Sequence, residues 1–409
     1  MSVQTDQSQA PPFIVGVGAS AGGLEALRTL FGGMPPDSGV SFVVALHRAA
    51  GHERRLVELL QPYTSLPIRQ VEGSAPLEPN CVLVIPPNTA VRAVDTHVRL
   101  ASRANQGRER PRIDELFRAL AAARGSRSIG IVLTGAGSDG ALGLRQIKTA
   151  GGLVIAQLPT EAEHEGMPRT ALEMGVVDLA LPLREMARAI VRYAQAAPLL
   201  LEPVVRAAVD VAEPPLLPDL VDVLAARTGH DLSVYQPRLI LRGVAKRMRV
   251  RGIERPREYL RLLETDAGEA AALAADLLVD GMEFFQEPQT CVRLETDVLP
   301  RLFAAKTGAH DTVRAWCVGC GTGEDAYSLA IELLEESARR DRSPSVRLFA
   351  TDVAEEQLRR ARVGAYVPEI ESSVSVSRWP SLSPRMRRVS TSSSGSPGRA
   401  RRSATRRRR

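Results

Sequence analysis

The sequence predicts an α/β protein with a parallel-sheet domain, then a small helical domain and a single βαβ unit. Residues 12–200 alternate short apolar runs with amphipathic stretches, as strands buried on both faces between covering helices do. A segment of about seventy residues beyond 218 carries helical periodicity without strand-like runs. After Pro300 an apolar run leads into a glycine turn, a helix and a second apolar run.

In chain order, the predicted strands are Pro12–Gly18, Ser41–His47, Cys81–Ile85, Ser128–Gly135, Leu153–Gln157 and Val176–Leu181. Between them lie the amphipathic stretches Leu24–Phe31, Arg54–Leu60, Ile113–Arg124 and Ala141–Ala150, the last stopped by Gly151-Gly152. These make up a domain over 12–197. Residues 198–218 hold five prolines and no usable period, which predicts a linker. The helical domain is expected over 219–290, basic at LRGVAKRMRVRG (241–252) and apolar at AALAADLLVD (271–280). Strands Thr312–Val318 and Val346–Thr351 then frame GCGTGED in a unit over 291–370. From 371 to 409 Ser, Arg and Pro dominate, too polar to offset chain entropy, and disorder is expected.

The 409 residues include 53 Lys+Arg and 47 Asp+Glu, a net charge of +6. Eleven of those arginines lie in 372–409, which leaves a body of 42 basic and 47 acidic residues. The body therefore carries no nucleic-acid signature, and none is expected as a partner. The polar start MSVQTDQSQA lacks a leader's apolar core, and no apolar run reaches membrane-span length. A cytoplasmic protein without membrane insertion is expected. Of the four cysteines, Cys317 and Cys320 form a CxxC, but no second ligand pair is near, so no metal site is predicted.

In an open parallel sheet, working residues gather at the carboxyl ends of the strands. Three such ends offer a hydroxyl, an imidazole and a carboxylate: Ser20 in GVGASAGG, His47 closing the second apolar run, and Asp139 in TGAGSDG. A hydroxyl needs a base to become a nucleophile, and the base needs a carboxylate to hold its tautomer. Backbone N–H groups near Gly22 are candidate oxyanion donors. Each residue also has a plainer reading: a dinucleotide loop for GVGASAGG, an N-cap for Asp139, a strand-end histidine for His47. The joint placement favours hydrolysis, since His47 stands where a dinucleotide site would want an acid.

GVGASAGGLEAL, ALHRAAGHERRLVELL, VIPPNTAVR, RPRIDELFRALAA, GIVLTGAGSDGALGL and GGLVIAQLPTEAEHEGMPRTALEMGVVD together resemble the CheB family of protein-glutamate methylesterases. The resemblance implies that Ser20, His47 and Asp139 are catalytic, that no cofactor is needed, and that methylated chemoreceptor domains are the partners. Ala21 and Ala136 stand where the family often has Thr and Met. The family's N-terminal receiver domain has no room before Pro12, so control by an attached receiver is not expected.

The glycines 319, 321 and 323 open a turn of the kind that lets a cofactor approach backbone closely, and Asp352 ends the next strand. YQPRLILRGVAKRM, EYLRLLETDAGE, FFQEP, WCVGCGTGEDAYSLAI and LFATDVAEEQLRRARVGAY resemble the CheR family of glutamate methyltransferases. That implies an incomplete Rossmann-like unit in which Gly319, Gly321, Gly323, Glu324 and Asp352 face S-adenosylmethionine and the basic helix at 242–251 meets receptor or cofactor. Gly243, Met282 and Gln286 depart from the family's polar residues, and no further strands follow Tyr366. The tail reads as an out-of-frame sequence or a genuine basic tail. The expected function is therefore a chemotaxis signal-transduction enzyme, a CheB–CheR fusion hydrolysing glutamyl γ-methyl esters, with deamidation of receptor glutamines by the same chemistry and a transferase half weak or silent towards S-adenosylmethionine. A non-catalytic chemosensory adaptor is the alternative.

Overall fold

The computed structural model describes residues 13–47, 56–86, 89–102, 112–196, 216–278, 283–306, 311–340 and 344–367. The chain divides into two compact units, Met1–Gly281 and Met282–Arg409.

Among the described residues the first unit has ten strands: β1 (Ile14–Ala19), β2 (Ser41–Leu46), β3 (Ile68–Gln70), β4 (Ser74–Pro76), β5 (Cys81–Val84), β6 (Thr89–Val94), β7 (His97–Ser102), β8 (Ser128–Val132), β9 (Leu153–Gln157) and β10 (Leu179–Leu181). Seven of them form a parallel sheet in the order β10-β9-β8-β1-β2-β5-β3. The central strands IVGVGA, SIGIV and LVIAQ are buried at every position, because both faces of the sheet are covered. The six strands expected from the apolar runs are present. The short β3 and the antiparallel set β4-β7-β6 were not expected, since IRQ, SAP and HVRLAS are too short or too polar to stand out.

Helices α1 (Gly23–Gly32), α2 (Leu56–Leu60), α3 (Arg112–Arg124), α4 (Ala141–Thr149), α5 (Gly166–Glu173) and α6 (Leu183–Gln195) complete this domain. On one face Leu27, Leu30 and Phe31 of α1 and Met186, Ile190 and Tyr193 of α6 pack on Val15, Val17, Phe42 and Val44. On the other, Ile113, Phe117 and Leu120 of α3 meet Ile14, Val43 and Val132. Each such side chain, fully buried, contributes roughly 1.5–3 kcal/mol. Gly151, at φ 82°, takes the left-handed conformation just past α4, where the helix-stop signal was expected.

Four further helices, Leu216–Thr228, Pro237–Arg251, Pro256–Thr265 and Ala267–Leu277, close around a core of Leu220, Leu224, Val244, Met248, Tyr259 and Leu273. The first of them starts inside the expected 198–218 linker, whose residues 198–215 lie outside the described residues. The division between units falls at Gly281, short of the expected boundary at 290.

The second unit holds β11 (Thr312–Val318) and β12 (Ser345–Thr351), parallel and in register from Thr312↔Ser345 to Val318↔Thr351. Helices Glu324–Ala338 and Glu355–Val363 follow the two strands. The expected tail at 371–409 lies outside the described residues.

Candidate functional site

The chain leaves β1 for β2 on one side and returns to β8 on the other, so the sheet's switch point lies between β1 and β8. Ser20 follows the end of β1 and is partly exposed. Its N–H donates to Thr134 O at 3.0 Å, which ties the turn to the strand exit of β8. His47 follows β2, with its N–H on Ala19 O at 2.8 Å, and its side chain is exposed. Ala19 and Leu46 are register partners, so Ser20 and His47 lead off neighbouring strands, which lie about 4.8 Å apart. Asp139 ends the loop after β8 and is buried, 8% exposed. The three loops thus converge on one edge of β8-β1-β2.

Asp139 also caps a helix, but not the one that follows it. Its Oδ2 accepts the Ile113 N–H at 3.3 Å and its Oδ1 the Asp114 N–H at 3.1 Å, which satisfies the first donors of α3. This holds the carboxylate at the sheet edge.

The glycines of GVGASAGG are largely taken up by packing. A Cβ on Gly16 would stand 2.4 Å from Leu120, one on Gly18 2.3 Å from Ile113, and one on Gly23 2.6 Å from Leu46. Gly22 alone needs the left-handed region, φ 73°, at the N-cap of α1. Close helix–strand contact, rather than space for a pyrophosphate, accounts for the pattern, and this weakens the dinucleotide reading. Gly23 N–H turns back to Ser20 O at 2.9 Å. Among the described residues, Ala21 and Gly22 N–H have no acceptor.

Two positions escaped the sequence reading. Thr134 Oγ1 donates to Ala21 O at 3.1 Å and accepts the His164 N–H at 2.8 Å, while Thr134 N–H donates to Gln157 Oε1 at 2.8 Å. Gly135 fills the gap between Ser20 and Met167: a Cβ there would lie 2.9 Å from Ser20 Cβ and 2.1 Å from Met167 Sδ. The only signal was the position of both residues within TGAGSDG.

In the second unit the expected residues come together around one turn. Gly319, Gly321 and Gly323 all have positive φ. Gly321 N–H donates to Asp352 Oδ2 and Ala354 N–H to Asp352 Oδ1, both at 2.8 Å. Glu324 is buried and accepts the Thr322 hydroxyl at 2.5 Å. The glycine turn fits the approach of S-adenosylmethionine, and space is open at Gly319. Asp352, however, turns both carboxylate oxygens to backbone, and a Cβ on Gly323 would already stand 2.6 Å from Tyr366 Oη. Trp316, Val318 and Phe349 on the two strands are 66%, 69% and 58% exposed. Burial, helped by Asp325, Cys320 and Asp352, pushes the Cys317 thiol up to about 11, which leaves it a poor ligand or nucleophile near neutrality. Among the described residues no cluster of three or more His, Cys, Asp or Glu is placed to hold a metal.

Lys246, Arg247 and Arg249 are buried, and Arg247 makes a two-pronged bond to Glu269 at 2.8 and 2.7 Å. Those three charges face protein interior, whereas Arg251 on the same helix is 41% exposed.

Comparison with known proteins matches residues 15–190 to the family model described as CheB methylesterase. Residues 217–278 match CheR methyltransferase, all-alpha domain, and residues 281–380 match CheR methyltransferase, SAM binding domain. An uncharacterized 104.1 kDa protein from the hypE 3′ region of Rhodobacter capsulatus is 32% identical over 338 residues, 78% of this chain; the chain spans only 35% of that relative's length. A putative protein-glutamate methylesterase/protein-glutamine glutaminase of Leptospira interrogans is 34% identical over 182 residues, 44% of this chain and 93% of that protein. The crystal structure of the Thermotoga maritima CheB methylesterase catalytic domain aligns over 44% of this chain and 98% of its own, with 26% identity and a TM-score of 0.42.

Proposed function

We propose that this chain, which belongs to the CheB methylesterase family and carries CheR-type helical and cofactor-binding domains behind it, hydrolyses glutamyl γ-methyl esters on chemoreceptor proteins in the cytoplasm. The observation that carries this reading is the convergence of Ser20, His47 and Asp139 on the carboxyl edge of three adjacent strands. Ser20 Oγ attacks the ester carbonyl while His47 takes its proton, and the buried Asp139 carboxylate holds the imidazole. Ala21 and Gly22 N–H receive the oxyanion, a contribution of about 10²–10³ in rate for each well-placed donor. His47 then protonates the departing methanol, and water, activated by the same imidazole, releases the glutamate carboxylate. A receptor glutamine, losing ammonia instead of methanol, fits the same steps.

The second unit is proposed to contribute little methyl transfer. The exposed Trp316, Val318 and Phe349 on the two strands support weak S-adenosylmethionine binding by this chain. The test is incubation of the 409-residue chain with receptor fragments carrying labelled glutamyl methyl esters. Labelled methanol should appear without any added cofactor, and its absence from a folded chain would favour the adaptor reading instead.

A further inference from the structure

Where the sheet domain meets the four-helix bundle, four charged side chains form a closed ring away from water. Lys148, from the last turn of α4, lies 2.8 Å from Asp178 Oδ1 and 2.7 Å from Asp276 Oδ1. Lys246, from the Pro237–Arg251 helix, lies 2.9 Å from Asp178 Oδ2 and 3.5 Å from Asp276 Oδ2. Exposure of the four side chains is 5% for Lys148, 0% for Asp178, 3% for Lys246 and 5% for Asp276. Two of the charges belong to the sheet domain and two to the bundle. Each side is neutral by itself, and each lysine spans both aspartates only when the two sides are together.

The surroundings point the same way. Asp178 Oδ2 also accepts the Val154 N–H at 2.8 Å, so the ring is anchored in the sheet. Arg192 Nη2 donates to Val250 O at 3.2 Å. The Arg249 guanidinium stands 5.1 Å from the centroid of the Tyr193 ring, whose other contact is edge-to-face with Phe13. Val250, a bundle residue, is buried in the apolar cluster of α1, α6 and the sheet. The approach to β10 and α6 are therefore gripped by the Pro237–Arg251 helix, and the end of α4 by Asp276 of the Ala267–Leu277 helix.

We propose that the bundle at 216–278 is a permanently docked partner of the sheet domain, registered by the Lys148–Asp178–Lys246–Asp276 ring, and that Lys246 and Arg249 of its basic helix serve this dock rather than an outside acidic partner. The apolar and stacking contacts supply affinity. The ring supplies register, because any shifted pose buries a lysine or an aspartate without its counter-charge.

The test uses the whole chain, with a protease site introduced between residues 200 and 212 and cut after folding. The two pieces should co-elute on size exclusion, in about 1 M as well as about 0.1 M salt, since buried pairs are screened little. Asp276→Lys, which sets a third cation against Lys148 and Lys246, should release them. Lys246→Met with Asp276→Leu, which leaves the balanced Lys148–Asp178 pair, should not. In the uncut chain, Asp276→Asn should speed amide exchange of both Ala141–Thr149 and Pro237–Arg251 by roughly tenfold or more, which keeps the test decisive if Asp276→Lys fails to fold. Separation of the native pieces on cutting, or exchange that rises in the bundle alone, would overturn the proposal.

Discussion

Asp114 and Asp139 cap each other's helices. Asp139 Oδ1 accepts the Asp114 N–H at 3.1 Å, and Asp114 Oδ1 accepts the Gly143 N–H, in the first turn of α4, at 2.6 Å. The side chain just before α4 secures α3, and a side chain in α3 secures α4. Both are buried, so the proposed catalytic carboxylate is held by the close pairing of two helices.

Asp114→Ala should therefore lower stability by about 1–2 kcal/mol through the lost cap and also reduce ester hydrolysis, although Asp114 touches no substrate. Thermal melts and steady-state rates on the same preparations check this. A normal rate in a destabilised protein would detach Asp139's position from the paired caps.

Thr134→Val preserves shape but removes the hydroxyl that links Ala21 O to His164 N–H. Turnover should fall roughly tenfold to a hundredfold as the nucleophile turn loosens, with KM changed little, and Thr134→Ser should recover most of it. Equal rates in all three proteins would remove Thr134 from the account.

His164 lies beside the site but contributes through its backbone N–H and C=O, its ring being 46% exposed. His164→Ala and His97→Ala should retain appreciable activity, whereas His47→Ala should lose nearly all. The Ser20→Ala/His47→Ala double variant should be scarcely worse than either single, as expected of groups that act as one unit. Greater damage from His164→Ala than from His47→Ala would transfer the role of base.

Much of the sheet was legible in the sequence because short apolar runs bounded by turn residues read as strands buried on both faces, and Ser20, His47 and Asp139 stand in the segments that follow three of them. Asp139 was legible as a helix cap, but its partner lies 26 residues upstream, beyond any local pattern. The strands β3, β4, β6 and β7 carry too little apolar signal to be read. The burial of Lys246 and Arg247 was not legible either, since nothing local announces that Asp178 and Asp276 pair with the first and Glu269 with the second.

The charge ring gives a pH dependence with two edges. Burial alone would raise the Asp178 carboxyl, but Lys148 and Lys246 outweigh it and hold it well below the usual carboxylate range. Its contribution is complete above about pH 4 and is lost as pH falls towards the folded value. Burial alone would lower Lys148, but Asp178 and Asp276 outweigh it and hold its ammonium above the usual lysine range. That contribution is complete below about pH 10 and is lost as pH rises further. Arg247 and Tyr193, which also face the ring, keep their charge states between these limits, Glu269 outweighing burial to hold the Arg247 guanidinium above its usual range and burial pushing the Tyr193 phenol up to about 12. Exchange protection at the dock should be flat from about pH 5 to pH 9 once corrected for intrinsic rates. A step near pH 6–7 would mean that a group outside the ring, such as a histidine, governs it.

Calorimetry on the 409-residue chain should detect no S-adenosylmethionine binding tighter than roughly millimolar, the range of a pocket missing much of its contact surface. Micromolar binding, or methyl transfer to receptor glutamates, would show that the exposed faces of β11 and β12 are completed in solution.

Methanol release by Ser20→Ala tests the central claim most directly. The wild-type chain should free labelled methanol from receptor glutamyl methyl esters, and Ser20→Ala, with unchanged circular dichroism, should be slower by about a thousandfold or more. A folded Ser20→Ala protein that kept most of the wild-type rate would contradict the assignment of Ser20 as nucleophile and, with it, the triad at the edge of β8-β1-β2.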